Sequence, residues 1–236
     1  AQAPEVGAAA RKIRGDVAVA VQAPPRGTGD AVRRALPALE GFEGVVLILY
    51  ADTPLIAEAT LRALGDAASG AGAVLGFRPK EPGAYGRLKT ANGELLAIVE
   101  AKDATAPELA IPLCNAGAMA VRADLLRKYL PLLKDDNAKG EFYLTDIVAM
   151  ARAEGGCFAV VEASEEEVMG VNSRAELAEA EAVFQRRRRR DAMEAGATLI
   201  APDTVYFAAA AEIGADVTIA PHVWLGPGTR IADGVR

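Results

Sequence analysis

The stretch Val45-Val46-Leu47-Ile48-Leu49-Tyr50-Ala51-Asp52-Thr53-Pro54 most narrows the folds open to this chain. Its apolar, largely β-branched residues run almost unbroken into a carboxylate, and Pro54 stops them. A continuous apolar run of that length suits a strand buried on both faces, as in parallel sheets covered by helices. Ligands of open α/β sheets lie beyond the carboxyl ends of the strands, so Asp52 stands where such a sheet would place a ligand or metal group. Aspartate is also a favoured helix N-cap, and a helix is expected from Leu55 onward. On spacing alone the cap and the ligand readings are both open.

Around that strand the chain alternates. Asp16–Gln22 has strand alternation, residues 23–29 form a Pro- and Gly-rich loop, and a helix is expected over Asp30–Leu39. Leu55–Ala68 has helical spacing, and Ala73–Arg78 is a short strand closed by Pro79. This rhythm predicts a mostly parallel α/β sheet. Tyr85–Lys89 and Glu94–Glu100 then flank Asn92-Gly93, a strong hairpin signal. Further strands are expected over Cys114–Val121 and Cys157–Ala163, with helices over Asp124–Leu133, Tyr143–Glu154 and Ser173–Ala195. The Arg186–Arg190 run in the last helix reads as a solvated face following glutamates, ahead of RNA or lipid contact.

The final stretch repeats. Ile213, Ile219, Leu225 and Ile231 recur every six residues, each followed by Gly or Ala, and Val217, Val223 and Val235 echo the period. Hexapeptide spacing marks a parallel β-helix, where each short strand adds one face of a triangular coil. The alternative is an ordinary strand pair with chance spacing. Four hexads are too few to stand alone, so more coils are expected beyond Arg236. The chain starts at Ala1 rather than Met, and both ends are expected to be cut.

With 236 residues, 51% of them hydrophobic and 25% charged, the chain can bury a sizeable core, and the composition argues against disorder. The net charge of −6 argues against a nucleic-acid surface and against binding to anionic membrane. No apolar run approaches the length of a membrane span, and no signal peptide is recognisable. Cys114 and Cys157 lie far apart and read as reduced, buried thiols of a cytoplasmic protein. His222 is the sole histidine, which argues against a histidine-based triad or metal cluster.

Seven short stretches acquire meaning from their order: Gln22 with Gly27-Thr28-Gly29; Leu49 to Ile56; Tyr85-Gly86-Arg87; Ile98 to Ala104; Asn115-Ala116-Gly117; Asn137 to Asp146; and Gly170 to Arg174. In that order, and leading through a long helix into hexads, they resemble the bacterial bifunctional N-acetylglucosamine-1-phosphate uridyltransferase/glucosamine-1-phosphate acetyltransferases. The resemblance covers nearly the whole chain. It implies a Rossmann-like nucleotidyltransferase domain over residues 1–172, a linker helix over 173–196, and the start of a left-handed β-helix over 197–236.

The reaction the resemblance implies is uridylyl transfer from UTP to N-acetylglucosamine 1-phosphate, giving UDP-N-acetylglucosamine and pyrophosphate in the cytoplasm, for cell-wall and lipopolysaccharide precursors. The sugar phosphate would attack the α-phosphorus in line, with catalysis resting on positioning and charge neutralisation. Mg2+ would be held by Asp52, at the catalytic centre, with Asn172; such an ion takes few protein ligands and keeps several waters. Gln22, Gly27 and Thr28 would lie along the uracil, and Tyr50, Gly86, Glu100 and Asn115 would contact sugar and ribose. Read without the resemblance, Gly86 serves a turn, Asn115 ends a strand, and Glu100 pairs with Lys102 or Arg87. The full-length family also carries acetyl-CoA-dependent glucosamine-1-phosphate acetyltransferase activity and forms a homotrimer through the β-helix.

The sequence departs from the family at several points. Ala51 stands for the usual glycine, Ala116 for a threonine, Leu113 for an acidic residue and Phe142 for a tyrosine. No Gly-rich, Arg-bearing phosphate loop precedes Gln22, so the chain by itself is expected to be inactive. Another sugar-1-phosphate nucleotidylyltransferase, or a non-catalytic regulatory or assembly protein with this fold, are the alternatives. Lys102-Asp103-Ala104 and Gly170-Val171-Asn172 favour the N-acetylglucosamine enzyme.

Overall fold

The computed structural model describes residues 3–91 and 93–236, so Asn92 of the expected hairpin turn lies outside the described residues. The chain divides into two compact units, Ala1–Ala51 with Ile56–Val168, and Asp52–Leu55 with Met169–Arg236.

The first unit contains helices α1 (Ala3–Ile13), α2 (Thr28–Ala35), α3 (Glu58–Ala67), α4 (Ala106–Leu109), α5 (Ala123–Tyr129) and α6 (Asp146–Ala153). Its strands are β1 (Val45–Ile48), β2 (Gly72–Phe77), β3 (Arg87–Ala91), β4 (Glu94–Val99), β5 (Cys114–Arg122) and β6 (Phe158–Glu162). They form one sheet in the order β1-β5-β2-β6-β4-β3. The hairpin forms as its turn signal predicts, with Ala91 opposite Glu94. β2 is buried along its whole length. Its alternate residues feed two cores, Val74 packing with Met119, Leu126 and Leu144, and Leu75 and Phe77 packing with Leu64. Each such fully buried side chain contributes about 1.5–3 kcal/mol.

Four sequence expectations fail here. The sheet is mixed rather than mostly parallel: among the described residues β2 with β6 is its one parallel pair, because β5 returns between β1 and β2 and runs antiparallel to both. The Val45–Leu49 run is not buried on both faces. Among the described residues β1 pairs only with β5 and ends the sheet, leaving Val45, Leu47 and Leu49 at 36%, 42% and 44% exposure. Asp16–Gln22 forms no strand, and Val19 and Val21 are exposed. Alternation alone does not make a strand, because a ladder partner must take up the backbone groups. Of the cysteines, Cys114 is buried as expected, whereas Cys157 is exposed just before β6.

The second unit begins its long helix α7 (Arg174–Glu194) with Ser173 as N-cap, its hydroxyl accepting from the Glu176 amide. Six two-residue strands follow: β7 (Thr198–Leu199), β8 (Tyr206–Phe207), β9 (Glu212–Ile213), β10 (Thr218–Ile219), β11 (Trp224–Leu225) and β12 (Arg230–Ile231). They pair in parallel, β10 on β7, β11 on β8 and β12 on β9. Val205, Phe207, Val217, Ile219 and Leu225 fill the space inside.

The arginine run of α7 is only in part the solvated face expected of it: Arg186 and Arg190 are exposed, and the three between them turn to the protein. Arg187 donates to the Leu55 carbonyl at 2.7 Å, Arg188 to that of Ala211 at 2.7 Å, and Arg189 to that of Val205 at 2.9 Å. Arg189 is buried. Two-residue strands leave many carbonyls without ladder partners, and the guanidinium forks supply donors for them.

Candidate nucleotide-sugar site

Seven of the nine residues singled out by sequence lie in the first unit, and Asp52 and Asn172 lie in the second. The seven fall into two groups.

The first group surrounds the start of α2. Gly27 has φ +97°, and a Cβ there would sit 2.7 Å from the Phe142 carbonyl oxygen, so close backbone approach requires glycine. The Gly29 amide donates to that carbonyl at 2.8 Å, and the Phe142 amide donates to the Arg26 carbonyl at 2.9 Å. Thr28 Oγ1 accepts from the Leu144 amide at 3.3 Å. The Arg26 and Arg33 guanidiniums lie over the Phe142 ring, 4.7 and 4.6 Å from its centre. Gln22 Nε2 donates to the Gly27 carbonyl and to Asp30 Oδ2, both at 2.9 Å. Asp30 is fully buried and paired with Arg33 at 2.6 Å. Sequence reading missed Asp30, whose single visible signal was an acidic residue in the first turn of a helix.

The second group is linked contact by contact. The Asn115 amide donates to the Gly86 carbonyl at 2.8 Å, and Asn115 Oδ1 accepts from the Gly117 amide at 3.0 Å. Gly117 has φ +87° and lies against the Tyr50 ring, where a Cβ would come within 2.5 Å of Cε2. A Cβ on Gly86 would meet Glu100 Oε1 at 3.6 Å and nothing closer than 3.4 Å, at a φ outside the left-handed region. Gly86 is therefore not demanded by a turn, and its missing side chain leaves room beside Glu100. Arg87 does not pair with Glu100; it donates to the carbonyls of Leu109, Pro82, Tyr85 and Gly83.

Glu100, Asp103, Asp136 and Asp146 line one cleft with Asn137 and Tyr143. Burial pushes the Glu100 carboxyl above its usual range; Lys139 and the Thr145 hydroxyl, 3.5 Å away, oppose this, and Asp103 and Asp146 add to it. Asp146 is raised by burial and by Asp103. The Tyr143 hydroxyl is pushed up to about 12, by burial first and then by Asp103 and Glu100. The cleft therefore gathers acidic groups whose ionised forms burial and mutual repulsion disfavour.

In the second unit, the Val171 amide donates to the Asp52 carbonyl at 2.8 Å and so ties Asp52 to the Gly170-Val171-Asn172 stretch. Both Asp52 and Asn172 are exposed. Asp52 does not cap α3, whose N-cap is Ala57. Among the described residues no group of three or more His, Cys, Asp or Glu side chains could hold a metal ion. Asp52 and Asn172 would each supply one hard oxygen donor, the kind of ligand a largely hydrated Mg2+ takes.

No family model matches the chain. It is similar to the bifunctional protein GlmU of Hyphomonas neptunium, with 51% identity over 225 residues, 94% of this chain and 49% of that protein. The GlmU of Rhodospirillum rubrum is 56% identical over 202 residues, 84% of this chain and 45% of that one. That of Azorhizobium caulinodans is 49% identical over 233 residues, 98% and 52%. A nucleoside-diphosphate-sugar pyrophosphorylase of Vibrio cholerae RC9 shares the fold, with a TM-score of 0.55 over 75% of each chain at 13% identity. Among the described residues no helix is long and apolar enough to cross a membrane. The chain is a relative of the bifunctional GlmU proteins, and it spans about half the length of those it matches.

Proposed function

We propose that this chain carries part of the nucleotidyltransferase domain of an enzyme that makes UDP-N-acetylglucosamine and pyrophosphate from UTP and N-acetylglucosamine 1-phosphate. The observation that carries the reading is the contact-by-contact linkage of Glu100, Gly86, Asn115, Gly117 and Tyr50. Residues far apart in sequence are thereby brought together, among them a carboxyl, a carboxamide and an aromatic ring, with no side chain on Gly86 beside Glu100. Glu100 and Asn115 would accept and donate hydrogen bonds to the sugar, where a missing partner leaves a buried polar group unpaired. Gln22, Gly27 and Thr28 would take the uracil. An oxygen of the sugar phosphate forms the new bond to the α-phosphorus as the bond to the departing pyrophosphate breaks. Asp52 and Asn172 would hold Mg2+, which when bound neutralises phosphate charge.

Several wider properties belong to the same proposal. The parallel pairing of β7–β12 at hexapeptide intervals supports a left-handed β-helix. The GlmU resemblance supports domain limits of 1–172, 173–196 and 197–236. It also supports a glucosamine-1-phosphate acetyltransferase activity, a homotrimer and a cytoplasmic setting for the whole protein.

Calorimetric titration of the chain with UDP-N-acetylglucosamine, UDP-glucose and GDP-mannose tests the reading. The first should bind most tightly. Equal or tighter binding of GDP-mannose, or no binding of the first, would overturn it.

A further inference from the structure

Gln22 is held by its donor end alone. Its Nε2 gives one hydrogen to the Gly27 carbonyl and the other to Asp30 Oδ2, each at 2.9 Å. Neither partner can donate in return. A carbonyl never does, and Asp30 is held ionised, its carboxyl kept below the usual range by the Gln22 and Arg33 hydrogen bonds and then by the charges of Arg34 and Arg33. The carboxamide therefore has one permitted orientation, with nitrogen inward and oxygen outward. Among the described residues no donor reaches Gln22 Oε1, and the one buried side-chain polar atom without a partner is Arg188 Nε. Gln22 Oε1 is thus open to solvent, on a half-buried side chain beside Gly27.

We propose that Asp30 is a positioning residue that locks Gln22 as a hydrogen-bond acceptor and so selects a nucleobase with a ring N–H at the edge it reads. The inference rests on the reading that Gln22 lies along the base. Uracil offers N3–H to such an acceptor. Cytosine presents a bare N3 lone pair at the same place, and two facing acceptors leave both unpaired. A freely turning glutamine would serve either base by exchanging its oxygen for its nitrogen. The buried, doubly paired Asp30 removes that choice, and with it the tolerance for cytosine.

Titration of the chain with UMP and CMP, alongside Asp30→Leu and Asp30→Asn, tests this. The unmodified chain should bind UMP roughly tenfold or more tighter than CMP, the cost of one unpaired buried group. Asp30→Leu should bring the ratio towards one, whereas Asp30→Asn, which keeps a carbonyl oxygen facing Nε2, should retain most of it. A folded Asp30→Leu chain with an unchanged ratio overturns the positioning role and leaves the base reading standing. No preference in the unmodified chain overturns the base reading and this inference with it. A measurement that does not depend on the folding of any variant is proton exchange at the Gln22 carboxamide by NMR. Exchange should be slowed well below that of exposed glutamines, and exchange at their ordinary rate overturns the lock.

Discussion

At residue scale, Glu100 shows how a role and its cost coincide. Its carboxyl is half-buried beneath the space left by Gly86, and burial raises its pKa above the ordinary 4.5. A raised folded-state pKa means that ionisation is penalised in the fold. The penalty is absent at pH values below the unfolded pKa and grows as pH rises through the folded one. Glu100→Gln is therefore expected to raise Tm at pH 7 by roughly 1–3 °C. The gain should vanish by about pH 4, while UDP-N-acetylglucosamine binding weakens about tenfold or more. Thermal scans at the two pH values check this, and an equal gain at both would contradict the burial argument. Gly86 was ambiguous by sequence because a glycine code does not distinguish a turn from an empty space. The contacts that a Cβ would make resolve it.

At the scale of elements, the same kind of sequence signal succeeded in one place and failed in another. β2, an apolar run, is buried throughout. β1, another apolar run, lies at the sheet edge because β5 occupies one side and no described residue pairs on the other. Apolar runs state that a strand wants covering, and only the ladder states whether it is covered. The arginines of α7 make the converse point. A block of five reads as solvated, yet Arg189 lies buried with its fork on the Val205 carbonyl and on Asp203 at 3.0 Å. Asp203 is almost fully exposed, so the ion pair adds little and the buried carbonyl bond dominates. Arg189→Met keeps the apolar stem and removes both bonds. It is expected to cost about 1–3 kcal/mol, read from urea unfolding. An unchanged midpoint would show that water replaces the guanidinium.

For the whole molecule, the two units have separate cores. Val74, Met119 and Leu144 belong to one, and Phe207, Ile219 and Leu225 to the other. Separate cores permit separate opening. Native-state hydrogen exchange should show β2, β5 and β6 exchanging with one denaturant dependence and β7–β12 with another. A single shared dependence would mean one cooperative unit.

The sequence by itself determined what is local. The hairpin at β3 and β4, the long helix α7 and the hexapeptide strands all rest on spacing between near neighbours. Backbone sterics and side-chain periodicity fix those within a few residues. The seven ordered stretches also pointed to Gln22, Glu100 and Asn115 before any geometry was available. Tertiary structure alone decided the neighbours: β5 between β1 and β2, Asn115 beside Gly86, Arg189 under the Val205 carbonyl, and Asp30 behind Gln22. Periodicity states which face of an element is apolar. Which partner meets that face depends on contacts between residues far apart along the chain, and those form only when the whole core closes.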